Sequence, residues 1–171
     1  MTYPSERLAY WYFRLNGFLT TENFIIHPDV GRDQRTDADL LAVRFKYRVE
    51  NIVHPMRDDP RIADCDTLGN IIIAEIKTGP CSLNGPWTDP AQENMPRVLR
   101  AIGCIDNDSI ERAAKGLYSC GAWKDEAVTI RLFAVGESQA RLVIPVSQQL
   151  TWTTIIEFCI ERFEMYKPQK S

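Results

Sequence analysis

One stretch constrains the fold of this chain more than any other: residues 71–77, with the sequence IIIAEIK. Its β-branched apolar residues predict a buried strand, and the turn-forming residues 78–80 (TGP) end it. Because side chains alternate between the two faces of a strand, Glu75 and Lys77 share one face and Ile76 lies on the other. Charges are costly to bury, so an opposed pair at the end of a buried strand indicates a function.

The size and composition of the chain predict a single globular domain over residues 1–171. Apolar residues make up 44% and charged residues 25%, close to the average for soluble proteins. No apolar run approaches the roughly 20 residues that a membrane span needs. The first residues lack a basic segment followed by an apolar one, so we expect no signal peptide, no membrane partner and a cytoplasmic location.

Cysteine count, charge and short motifs narrow the function classes. The five cysteines are odd in number and none forms a C-x-x-C pair, which favours free thiols over a zinc site or a disulfide framework. The net charge of −3 disfavours nucleic-acid binding unless positive charge is concentrated on one face. Neither a phosphate-binding loop nor a dinucleotide fingerprint is present, which argues against a small-molecule-binding α/β domain.

Hydrophobic periodicity predicts the order helix, three strands, helices, two strands, helix. The predicted helices span residues 4–17, 90–103, 108–118 and 151–166. The predicted strands span residues 18–27, 38–47, 71–79, 127–135 and 140–146, and a hairpin turn at residues 136–139 joins the last two. A three-strand meander followed by a helical crossover predicts an α/β (α+β) fold with a central mixed sheet flanked by helices.

A second carboxylate belongs to the strand before the central one. Asp39 directly precedes the apolar residues 40–43, and in a meander it is expected to come close to Glu75. Two converging carboxylates suit a hard cation such as Mg²⁺, which prefers oxygen ligands and keeps several waters. A neighbouring Lys77 would position or deprotonate a metal-bound water, or stabilise charge on a phosphate. This constellation predicts phosphodiester hydrolysis.

Asp39 before one apolar strand and Glu75-x-Lys77 closing the next resemble the PD-(D/E)xK nuclease superfamily. This superfamily includes Holliday-junction resolvases and many restriction endonucleases. The resemblance extends over residues 5–135, with Glu6 on the first helix and residues 16–18 (NGF) leading into the first strand. The literal Pro-Asp is replaced by residues 36–39 (TDAD), so Asp37 is a rival to Asp39. We favour Asp39 because it abuts the apolar run.

The resemblance implies an αβββαβ core with a restriction-endonuclease-like or resolvase-like fold. It implies Mg²⁺ (or Mn²⁺) on Asp39 and Glu75, with Lys77 and Glu6 as further catalytic residues. The implied substrate is nucleic acid, DNA rather than RNA, and a homodimer or a larger complex remains open.

The substrate contacts are predicted from the placement of arginines. Arg32 and Arg35 lie in the loop before Asp39, and Arg97 and Arg100 lie three residues apart on a later helix, so either pair is a candidate for binding phosphates. Trp87 is either a stacking platform for an unpaired base or a packing residue.

Each candidate also has a structural interpretation. Glu75 and Lys77 would form a salt bridge at a sheet end, Asp39 would cap a turn, and Glu6 would be a helix N-terminal acid favoured by the macrodipole. On that interpretation the same fold is a non-catalytic module that mediates protein or nucleic-acid interactions within a larger complex.

Overall fold

The structure is a computed structural model that describes residues 4–26, 36–49, 53 and 55–165. The first half of the described chain contains α1 (Pro4–Leu15), β1 (Leu19–Ile26), β2 (Thr36–Phe45), α2 (Pro60–Ala63) and β3 (Gly69–Ile76). The second half contains α3 (Gly85–Thr88), α4 (Asn94–Ile102), α5 (Ile110–Cys120), β4 (Ala122–Lys124), β5 (Val128–Gly136), β6 (Gln149–Thr151) and α6 (Trp152–Met165).

The strands form one mixed sheet in the order β1-β2-β3-β5-β4, and β6 also pairs with β5. β1, β2 and β3 are an antiparallel meander. The chain then crosses through α3, α4 and α5 to β5, which runs parallel to β3. The described residues therefore have an α+β fold with six strands and six α-helices, and the predicted mixed sheet flanked by helices is confirmed at this level.

The central strand β3 divides the hydrophobic core into two layers. All eight of its residues are buried. Ile72 and Ile76 pack into the core beneath α1 and α6, whereas Ile71 and Ile73 pack into the core beneath α4 and α5. Because faces alternate along the strand, Glu75 and Lys77 belong to the face that α4 and α5 cover.

The predicted hairpin at residues 136–139 and the return strand at 140–146 are wrong. β5 ends at Gly136 and residues 140–146 are not a strand; the short β6 pairs in parallel with β5 instead. Residues 77–81 run beside the end of β5, where the Glu137 N–H donates to Gly79 O at 2.7 Å. A Cβ on Gly136 would lie 2.6 Å from that same oxygen. Gly136 therefore permits close backbone packing and does not form a turn.

A further difference concerns a short strand. β4, which has three residues, was not predicted, and it lies at the edge of the sheet against β5. None of the helices in the described ranges is both long enough and apolar enough to cross a membrane.

Candidate active site at the end of the central strand

The site forms where β2 and β3 separate. Their antiparallel pairing ends at Leu40 and Ala74. Asp39 precedes Leu40 in β2 and Glu75 follows Ala74 in β3, so both lie just beyond the last pair. Instead of a further ladder bond, the backbone N–H of Ile76 donates to Asp39 Oδ2 at 2.6 Å. The Asp39 carboxylate is thereby held at the residue between Glu75 and Lys77.

A distortion in β1 lies at the same level. Glu22 pairs with Leu40 and Phe24 pairs with Ala38, so Asn23 lies across from Asp39. Asn23 has a φ of 51°, in the left-handed region that non-glycine residues rarely adopt. Such a residue within a strand bends the ladder locally. The sheet is therefore irregular where the Asp39 side chain leaves it.

Glu75 is a buried carboxylate with three hydrogen-bond donors, and its residue is only 2% exposed. The Trp87 indole N–H donates to Oε2 at 2.8 Å, and the Asn84 amide and the Lys77 ammonium both donate to Oε1. α3 positions Trp87, and Asn84 lies immediately before that helix. The three donors keep this carboxylate fixed in position beneath the helical layer.

The pKa of the Glu75 carboxyl is raised above its ordinary value. Burial is the main cause, because it penalises the charged form. The hydrogen bond from Lys77 opposes this shift, and the negative charge of Asp39 adds to it. The negative charge of Asp39 repels that of Glu75. A bound cation would reduce this repulsion.

Lys77 lies between Glu75 and solvent. Its side chain is 28% exposed and forms an ion pair with Glu75. Its backbone N–H donates to Val135 O at 2.9 Å, so the residue is anchored to β5. Ile76 between them is buried in the opposite core layer. The structure thus brings Asp39, Glu75 and Lys77 together at one end of β3.

Glu6 lies in the first turn of α1. α1 packs on the opposite face of the sheet from Glu75. The Arg7 guanidinium lies 3.4 Å from Glu22, which pairs with Leu40, so the first turn of α1 lies near the level of Asp39 along the sheet. Within the described ranges, no three or more His, Cys, Asp or Glu side chains form a group that could hold a metal. A three-carboxylate site with Glu6 is therefore not formed here.

The donor set that is present fits a magnesium-type cation held by two carboxylates. Mg²⁺ is commonly bound through one or two carboxylates and retains water on its other positions. Each carboxylate oxygen has two acceptor positions, and Trp87 takes one position of Glu75 Oε2. Asp39 and Glu75 are the residues that would hold the ion.

The predicted phosphate-binding arginines fall in two places. Arg32 and Arg35 lie outside the described residues. The side chain of Asp37, the alternative to Asp39, also lies outside them. Arg97 and Arg100 lie in a cleft between α4 and α5. Arg97 is 3.7 Å from Glu93, and Arg100 is 3.2 Å from Glu111.

Sequence reasoning missed the contacts that two residues make with Glu75 from the segment after β3, one just before α3 and one on it. Trp87 is 1% exposed, so the packing interpretation is correct and a base cannot stack on its ring. A buried indole N–H needs an acceptor, and a carboxylate twelve residues earlier is the one it uses. Asn84 carried no comparable signal, since an Asn before Gly-Pro is also typical of a turn.

We compared the chain with protein-family models, curated proteins and solved structures, and none of the three comparisons found a match. A functional assignment therefore depends on the geometry of Asp39, Glu75 and Lys77 and on the resemblance carried by the sequence around them.

Proposed function

We propose that the protein is a metal-dependent nuclease of the PD-(D/E)xK type, which hydrolyses phosphodiester bonds in nucleic acid. The observation that carries this proposal is the 2.6 Å hydrogen bond from the Ile76 N–H to Asp39 Oδ2. It places the carboxylate of one strand at the centre of the Glu75-x-Lys77 motif of the next. DNA is the preferred substrate because the superfamily members that the sequence resembles include restriction endonucleases and resolvases.

The order of elements supports the same proposal. A helix, an antiparallel three-strand meander, a helical crossover and a parallel strand follow one another along the chain. This is the αβββαβ order that the resemblance implies. It places the ends of β2 and β3 side by side, which is where the carboxylates lie.

The chain's own residues have separable roles in this mechanism. Asp39 and Glu75 would hold Mg²⁺ or Mn²⁺, which would supply a Lewis acid and lower the pKa of a bound water. Lys77 neutralises part of the charge on Glu75, and its partly exposed ammonium is placed to hold the attacking water or to stabilise negative charge on the phosphate. Asn84 and Trp87 fix the Glu75 carboxylate in one orientation.

The test is cleavage of labelled single-stranded, double-stranded and branched DNA and RNA with Mg²⁺, Mn²⁺ or a chelator. Lys77→Ala should reduce the cleavage rate by a factor of about 10²–10³, the range for loss of one group that stabilises charge in the transition state. Lys124→Ala is the matched control, because Lys124 is exposed and pairs with Asp66 at 2.6 Å. No cleavage of any substrate, or cleavage that Lys77→Ala leaves unchanged, would contradict the proposal.

A second candidate function is a non-catalytic interaction module on the same fold. The supporting observation is that the Glu75 carboxylate already has donors from Lys77, Asn84 and Trp87. A structural network of this kind needs no metal. This alternative predicts nucleic-acid or protein binding that is independent of divalent cations and unaffected by Lys77→Ala.

A further inference from the structure

A cleft with a volume of about 770 Å³ lies between α4 and α5, on the sheet face to which Glu75 belongs. We call it the α4–α5 cleft. Its lining includes the residues Pro90, Pro96, Arg97, Arg100, Lys115 and Tyr118, together with two glutamates. Its volume lies within the range of roughly 300–1,000 Å³ that is usual for small-ligand sites.

The cleft has a surplus of positive charge in a protein whose net charge is −3. Its two arginines pair with Glu93 and Glu111, whose side chains are 71% and 72% exposed. Exposed ion pairs of this kind are weak, and arginine binds phosphate through two parallel hydrogen bonds. Among the described residues Lys115 has no carboxylate partner. A phosphate group therefore has the Lys115 ammonium and the exposed, weakly paired Arg100 guanidinium available, with Arg97 beside them in the lining.

Tyr118 gives the cleft a fixed aromatic wall. Its hydroxyl accepts a hydrogen bond from the Met95 N–H at 3.0 Å, which ties α5 to the first turn of α4. The ring is partly exposed where it lines the cleft. Aromatic rings in such positions bind unpaired bases by stacking, with little dependence on base identity.

Asn94, next in sequence to the lining residue Glu93, has buried polar atoms without a hydrogen-bond partner, although its own side chain does not line the cleft. It is 1% exposed, and neither its amide nitrogen nor its amide oxygen has a hydrogen-bond partner. It lies between Glu93, which lines the cleft, and Met95, which is bonded to Tyr118. Buried polar groups are nearly always satisfied by protein, water or ligand. As the first residue of α4, Asn94 also lies at the helix end that favours negative charge.

The cleft is close to the proposed active site. Pro90, which lines it, follows Trp87 by only three residues, so their Cα atoms are at most about 11 Å apart. Trp87 in turn is hydrogen-bonded to Glu75. At a rise of ~3.4 Å per nucleotide, about three nucleotides of a strand cover the distance from Pro90 to Trp87.

We propose that the α4–α5 cleft holds one unpaired nucleotide of a single-stranded segment of the substrate, with its phosphate on Lys115 and Arg100 and its base against Tyr118. The position of the scissile bond at Asp39 and Glu75 rests on the proposed nuclease function. A paired base cannot enter a cleft between two helices without leaving its stack. The substrate class is therefore a single strand or an unpaired end, not an intact duplex.

The experiment measures binding by fluorescence anisotropy with a chelator present, so that no cleavage occurs. The probe is a labelled DNA or RNA single strand of about twelve nucleotides, compared with its duplex and with a mononucleotide as competitor. Lys115→Ala should weaken single-strand binding roughly five-fold and lower the slope of log K against log salt by about 0.7. Glu111→Gln should tighten binding, because it removes a competing negative charge. Lys124→Ala is the charge-matched control on β4.

Equal weakening by Lys115→Ala and Lys124→Ala would overturn the cleft assignment, and so would duplex binding as tight as single-strand binding. Competition by the mononucleotide at concentrations similar to those of the strand would overturn a strand as the occupant. Binding that depends on Lys115 without any metal-dependent cleavage would support the cleft and contradict the nuclease. Cleavage that depends on Lys77, with Lys115→Ala equal to the control, would do the reverse.

Discussion

Asp39 Oδ2 accepts a hydrogen bond from the backbone N–H of Ile76, so that a side chain of β2 occupies the place of a ladder partner at the end of β3. The N–H belongs to the residue between Glu75 and Lys77. This hydrogen bond ties the Asp39 carboxylate to the β3 backbone. An asparagine at position 39 can accept the same bond, which makes Asp39→Asn a substitution that removes charge and keeps geometry.

Trp87→Phe tests the hydrogen-bond network around Glu75. It removes the only indole donor to Oε2 among the described residues and leaves a smaller ring in a buried position. We expect the free energy of unfolding to fall by about 3 kcal/mol, from the lost charged hydrogen bond together with imperfect packing. Urea denaturation measures this change. Trp123→Phe, at a half-buried position on β4, is the control, and an equal loss in both variants would contradict the network.

The raised pKa of Glu75 predicts a pH dependence of stability. Relative to the unfolded chain, folding favours the neutral form of the Glu75 carboxyl. The stability that this gives is fully present below the ordinary pKa of 4.5 and is lost as the pH rises through the raised pKa. Glu75→Gln has no such titration. The unfolding free energy of the wild type, relative to Glu75→Gln, should therefore decrease as the pH rises above 4.5. A relative stability that increases over this window would show that the pKa is lowered.

Gly136→Ala tests the close packing of residues 77–81 against the end of β5. The new Cβ would lie 2.6 Å from Gly79 O and from Cys81 N, and hydrogen bonds to the chain after Gly136 hold both atoms. We expect a loss of about 1–3 kcal/mol in unfolding free energy. Gly79→Ala is the matched control, since its Cβ meets no atom within 4 Å. Thermal denaturation that ranks the two variants equally would contradict this role for Gly136.

The central strand and its neighbours could be predicted because their local signals agree with the tertiary structure. The apolar run before Glu75 is typical of a strand buried on both faces, and β3 is such a strand. The alternating pattern of β5 was also sufficient to predict a strand there, and β5 lies in the interior of the sheet, between β3 and β4. Within the site, the alternation of Glu75, Ile76 and Lys77 gave the correct faces for all three residues.

The remaining features depend on contacts that the local sequence does not encode. Gly136 was interpreted as a turn because glycine is typical of turns, whereas its role is the approach of residues 79–81. The bonds from Asn84 and Trp87 to Glu75 join residues nine and twelve positions apart through the packing of α3 on the sheet. Glu6 was placed with the site by resemblance, but α1 lies on the other face.

The most direct test of a metal site shared by Asp39 and Glu75 is a Mn²⁺ titration followed by electron paramagnetic resonance. Asp39→Asn keeps an acceptor for the Ile76 N–H but loses a metal-binding charge, and Asp66→Asn is the control at an exposed aspartate paired with Lys124. We predict Mn²⁺ binding to the wild type and to Asp66→Asn, with loss of binding in Asp39→Asn. Equal binding by all three proteins, or no binding by the wild type, would contradict the account.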